Sequence, residues 1–154
     1  MGSREGPLEY VGFWPRLGAS VIDSLLALLI TMPLLGMVFG RVTDLTPADF
    51  RAHPEAALVQ WVLPTVLVIG FWIARQATPG KMLISARIVD ARTGARPSIG
   101  QSLLRLLVVT ATLGIGFLWV GLDARRQSWH DKAARTVVVR PGSGHGPIAH
   151  FTGR

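Results

Sequence analysis

Leu17–Phe39 reads LGASVIDSLLALLITMPLLGMVF, 23 residues in which the single charged side chain is Asp23. A helix needs about 20 predominantly apolar residues to cross the hydrocarbon of a bilayer, so this stretch is a transmembrane span and decides the fold class. Residues 56–74, AALVQWVLPTVLVIGFWIA, form a second run without any charge. A third apolar segment occupies about 99–122, and its residues 106–122 are also uncharged. The chain is 154 residues long, 49 % hydrophobic and only 16 % charged, with a mean hydropathy of +0.40. Soluble domains carry about a quarter charged residues, so buried helices of a soluble bundle are a poor reading. The expected fold is an all-α integral membrane protein with two full spans, about 17–39 and 56–74, and a third segment that spans or re-enters.

The first run is longer than the apolar core of a secretory signal, contains an aspartate and lacks a small-x-small cleavage site, so it reads as a retained span. Pro33 and Pro64 lie inside the first two runs, where each removes a backbone donor and favours a kink. With no cysteine in the chain, a disulfide framework, a thiolate metal site and a cysteine nucleophile are excluded. Walker, Rossmann, HExxH and nucleophile-elbow patterns do not occur. The chain therefore reads as a non-enzyme with no cofactor and no metal.

Orientation follows from the basic residues. Residues 75–105 hold Arg75, Lys81, Arg87, Arg92, Arg96 and Arg105 against Asp90, whereas the loop 40–55 holds Arg41 and Arg51 against Asp44, Asp49 and Glu55. The positive-inside rule puts 75–105 and the N-terminus in the cytoplasm and the loop outside. Trp14 and Trp72 fall at the cytoplasmic ends of their spans, at the interface indoles favour. Residues 123–154 are equally basic. If the third run crosses, that segment is outside; if it dips and returns, both basic segments stay inside. The composition of residues 110–116, TATLGIG, suits a loop between two half-helices.

In the cytoplasmic layer, residues 82–90 and 136–140 (TVVVR) are β-compatible and are expected to pair as a small hairpin-like element. Ser98 and Gln101 fit a capping box, and Arg105 is expected to snorkel to headgroups. Residues 1–140 make the membrane domain, and 141–154, rich in glycine and proline, read as a disordered tail. His145 and His150 are tail composition rather than metal ligands. The formal charge of +7 is explained by topology, and the basic stretches lack stacking aromatics, which argues against nucleic acid.

Four stretches together resemble the RDD family of small bacterial membrane proteins, named for one arginine and two aspartates. They are Gly12–Asp23 (GFWPRLGASVID), Thr78–Leu83 (TPGKML) with Arg87–Asp90 (RIVD), Pro97–Arg105 (PSIGQSLLR), and Asp123–Asp131 (DARRQSWHD) followed by Thr136–Arg140. The resemblance makes Arg16, Asp23 and Asp131 the signature residues, and Arg135 departs from the glycine usual before the last strand. It implies the bacterial inner membrane and transport of an unidentified ligand.

Arg16 and Asp23 are two helical turns apart, about 10 Å along the axis, too far for a direct ion pair. An unpaired carboxylate two turns into the hydrocarbon costs several kcal/mol, so Asp23 must be protonated, paired or facing a hydrated cavity. One reading makes Arg16, Asp23, His130 and Asp131 a joint polar site for a proton, small cation or solute, in a homo-oligomer or with a membrane-protein partner. The other makes the chain a non-transporting scaffold or docking module. Here Asp23 only fixes helix packing, and Arg105, Arg125 and Arg126 bind anionic headgroups.

Overall fold

The computed structural model describes residues 7–41, 46–142, 144 and 146–152. Its longest element is α1, Phe13–Phe39, 27 residues or about 40 Å of helix. Pro15 lies in the first turn, where a missing N–H breaks no intrahelical bond, and the helix ends at Gly40, whose φ of +75° favours glycine. The loop after α1 contains a short helix, α2 (Pro47–Ala52), started by a Thr46–Asp49 capping box. Helix α3 (Pro54–Ala57), a π-helical turn (Leu58–Val62) and α4 (Leu63–Arg75) then run on as one apolar rod, Pro54–Arg75. The π turn sits just before Pro64, which cannot donate to the carbonyl four residues back; the wider turn accommodates that lost bond.

Only 11 % of the most apolar window of each rod is buried. Leu29 is 72 % exposed and Met37 82 %, an exterior unsuited to water and ordinary against acyl chains. The two rods are long and apolar enough to cross a membrane, as expected for 17–39 and 56–74.

The third segment is broken. Helix α6 (Ile99–Ala111), begun by the expected Ser98–Gln101 capping box, meets the 3-10 helix Ile115–Gly121 at 106°. Leu113 and Gly114 both take left-handed φ at the corner. Taken as one bent pair, it is the candidate third span.

The strands that flank that segment in the chain, β2 (Arg87–Asp90) and β3 (Thr136–Pro141), join β1 (Leu8–Tyr10) in one small antiparallel sheet, ordered β1-β3-β2. Its β2–β3 register pairs Arg87 with Val139 and Asp90 with Thr136. The expected pairing is thus present, in a sheet of three strands rather than a hairpin. Of residues 82–90, expected as strand, only Arg87–Asp90 is strand; residues 82 and 83 close helix α5 (Pro79–Leu83), because extended Thr78 and Pro79 at the first helical position start a helix. Both faces of β3 are covered, which explains its unbroken β-branched run. Val137 and Val139 pack with Tyr10, Val89 and Ala91; Val138 packs with Val11, Ile88 and Trp72.

Part of the segment expected as a disordered tail lies against the sheet. Ala149 donates to the Leu8 carbonyl, Tyr10 to that of Pro147, and Phe151 packs on the Tyr10 cluster. The backbone edge of a three-residue strand needs such a partner. Residues 143, 145, 153 and 154, His145 among them, lie outside the described residues.

Candidate functional site

Two polar groups sit where α1 meets the sheet layer, and each contains one signature aspartate. The first is built on α7 (Trp129–Ala133), a single turn whose capping box joins Ser128 and Asp131. Asp131 is completely buried and takes the Ser128 hydroxyl at 2.7 Å and the Ser128 N–H at 3.1 Å. Arg16, 2 % exposed, reaches it from α1 with Nη1 at 2.6 Å from Oδ2. Arg105, also 2 % exposed, pairs with Oδ1 from α6 and donates to the Thr136 hydroxyl at 2.6 Å. Arg16 spends its other donors on two carbonyls, Val11 at 2.9 Å and Arg126 at 2.6 Å. One carboxylate thus ties α1, α6 and α7 together, and through Thr136 it ties β3.

Electrostatics in this clasp follow from burial. Burial alone pushes the Asp131 carboxyl up, but the guanidiniums of Arg105 and Arg16 outweigh it and hold the group well below the ordinary carboxylate value. For the neighbouring His130, burial lowers the imidazole to about 4; Asp131 opposes this, and Arg105, Arg16 and Lys81 add to it. His130 is therefore neutral near pH 7. Since the Ser128 hydroxyl proton goes to Asp131, His130 Nε2–H donates to the Ser128 oxygen at 2.8 Å. Its Nδ1 is buried and has no hydrogen-bond partner among the described residues.

The second group surrounds Asp23. Its Oδ2 accepts the Thr78 hydroxyl at 2.5 Å and its Oδ1 the Gly80 N–H at 2.7 Å. Gly80 is required here: a Cβ would lie 2.1 Å from the Ala19 carbonyl oxygen, so only glycine lets α5 approach α1 this closely. Lys81 donates to the Thr78 oxygen at 3.3 Å, one hydroxyl away from the carboxylate. Burial lowers the Lys81 ammonium to about 8, Arg105 adding to the effect and Asp23 opposing it. Below Asp23, between α1 and α4, opens a cavity of about 80 Å³ lined by Leu26, Ile30, Leu67, Val68 and Phe71, with Thr31 and Thr78 as its hydroxyls.

Of the four residues expected in a joint site, Arg16, His130 and Asp131 come together, whereas Asp23 takes its partners from the Thr78–Gly80 turn. Arg105, expected at the headgroups, is corrected to a buried partner of Asp131, with its guanidinium carbon 5.2 Å from the centre of the Trp72 ring. The lost hydration is replaced by an anion, a hydroxyl and an aromatic face. A signal existed: Arg105 shares its side of α6 with Ser102, and both are buried, so the polar stripe of this apolar helix faces inward. Arg125 is half-buried, bonded to the Ala91 carbonyl at 2.8 Å and to the Tyr10 hydroxyl at 3.2 Å. Arg126 donates to the Gly121 carbonyl at 3.2 Å and has a left-handed φ of +52°. Among the described residues no group of three or more His, Cys, Asp or Glu side chains could hold a metal ion.

The profile of the RDD family matches residues 10–135. The uncharacterised protein RP437 of Rickettsia prowazekii (strain Madrid E) is 36 % identical over 72 residues, 47 % of this chain and 41 % of that protein. The uncharacterised protein YckC of Bacillus subtilis (strain 168) is 29 % identical over 136 residues, 83 % of each chain. No solved structure matches.

Proposed function

This chain belongs to the RDD family, and from that premise we propose that it is a multi-pass protein of the bacterial inner membrane that binds and passes a proton or small cation at Asp23. The observation that carries this reading is the position of Asp23. It is the one charge in an apolar span, and it sits at the head of a cavity between the two rods. An ionised carboxylate at that depth is stabilised by the Thr78 and Gly80 donors, and each of its oxygens keeps a lone pair for a further donor or ion.

In this reading the N-terminus is cytoplasmic and the third segment re-enters. The β2–β3 pairing supports re-entry, because it brings the two ends of that segment to one sheet and therefore to one side. Two rods and one bent segment do not enclose a pathway, so a homo-oligomer or a membrane-protein partner completes it within the bilayer.

The test is flux in liposomes reconstituted with the full chain and a trapped pH- or cation-sensitive dye, under an imposed gradient. Asp23→Asn keeps the shape and loses the charge; flux should fall to that of protein-free liposomes while the thermal midpoint of the purified variant stays near the parent's. Full flux in that variant would remove Asp23 from the mechanism and with it the reading.

A second reading, a scaffold that docks anionic headgroups, is favoured by the exposure of Arg92, Arg96 and Arg135 on the sheet layer. In this non-transporting reading, reversing their charge would abolish binding to anionic vesicles.

A further inference from the structure

The cavity below Asp23 is built for a particular kind of cation. A bare metal ion exchanges its hydration shell for about six or more oxygens at close range. Beyond the Asp23 carboxylate, the side-chain oxygens on the cavity wall are the hydroxyls of Thr31 and Thr78. Both are engaged: Thr31 donates to the Ala27 carbonyl, and Thr78 donates to Asp23 and accepts from Lys81. The remainder of the wall is aliphatic or aromatic, with Leu26, Ile30, Leu67, Val68 and Phe71 facing the space. Ligand pockets of this type are recognised by one well-placed polar group and an apolar body.

We infer that the occupant is a small organic ammonium ion, a short alkyl chain ending in a protonated amine. Its N–H groups meet the open lone pairs of Asp23 and its chain lies along α1 and α4. This rests on the reading of Asp23 as a cation site and names the class of cation. Among the described residues Asp23 has no direct ion pair, Lys81 being held one hydroxyl away, so the carboxylate is available to an external cation. The volume, about 80 Å³, is roughly half that of a cavity that takes benzene and admits about three or four non-hydrogen atoms. Phe71 adds an aromatic ring to the wall, a surface that attracts cations.

The experiment uses the full chain in lipid nanodiscs with three probes, n-propylammonium, 1-propanol and sodium, read by saturation-transfer NMR and calorimetry. Propylammonium should bind saturably, and neither propanol nor sodium at equal concentration should displace it. Asp23→Asn should weaken it by about tenfold or more, the loss of a charge-assisted hydrogen bond. Ala27→Leu fills the cavity from α1, leaves the Asp23 hydrogen bonds intact, and should weaken binding as well.

Displacement by sodium, with flux still dependent on Asp23, would overturn the ammonium inference and leave the cation reading standing. Propanol binding as tightly as the amine would mean a space filled by lipid tails, and would also overturn it. Unaltered affinity in Ala27→Leu would place the amine elsewhere. If no probe binds and flux ignores Asp23→Asn, the inference and the functional reading fall together.

Discussion

Replacing Asp131 with asparagine removes a single negative charge from between two buried guanidiniums and changes little else in shape. In the native protein that carboxylate accepts from Arg16, Arg105 and Ser128, with its side chain fully buried. Asparagine still offers one oxygen, which keeps either the Arg16 and Ser128 bonds of Oδ2 or the Arg105 bond of Oδ1, but Arg16 and Arg105 become two buried cations with no anion between them. Breaking a buried pair by removing one partner costs about 3–5 kcal/mol. For a domain of this size each kcal/mol is worth about 2–4 °C, so the apparent midpoint should drop by about 10 °C. The assay is thermal unfolding of detergent-solubilised protein, followed by tryptophan fluorescence.

A cycle with Arg105→Gln tests the cause. That substitution alone should cost less than Asp131→Asn, because Arg16 still neutralises Asp131. The double variant should cost clearly less than the sum, since it removes one of the orphaned cations. Additive losses, or an Asp131→Asn midpoint within a degree or two of the parent, would refute the clasp.

The pH dependence should follow His130. Its folded value of about 4 lies below the unfolded 6.5, so the unfolded chain binds the extra proton in that window. The His130 contribution should therefore be complete above about pH 6.5 and fall by roughly 3 kcal/mol on acidification to about pH 4. His130→Gln should flatten that slope in a midpoint-versus-pH series. Gly80→Ala should cost at least about 3 kcal/mol, because its Cβ would meet the Ala19 carbonyl oxygen at 2.1 Å and force α5 off α1; a midpoint within 1 °C of the parent would show that the two helices part at no cost. The cysteine-free chain permits single-cysteine labelling at Ala52, Arg96 and Arg135. Arg96 and Arg135 should label from one side and Ala52 from the other, and separation of the first two across the membrane would contradict a re-entrant third segment.

The two helices long and apolar enough to cross a membrane were legible in the linear sequence because bilayer thickness translates directly into run length: residues 17–39 and 56–74 need no tertiary partner to be recognised. The Ser98–Gln101 cap and the pairing of 136–140 were legible for a similar reason, since caps and β-branched runs act through near neighbours. Strand β1 was not, at three residues, nor was helix α5, where the Thr78–Pro79 start outweighed the β-compatible side chains that follow. The placement of charges was decided by tertiary structure alone. Arg16 and Asp131 are 115 residues apart in the chain and 2.6 Å apart in space. The Ser102–Arg105 stripe marks one side of α6 as polar, but it does not say whether that side meets headgroups, as expected of Arg105, or a buried carboxylate. Asp23 followed the same logic: its spacing from Arg16 ruled out a direct pair, but the identity of its donors, Thr78 and Gly80, was set by how closely α5 could approach α1. Hydrophobic length is a property of a segment, whereas the partner of a buried charge is a property of the packing.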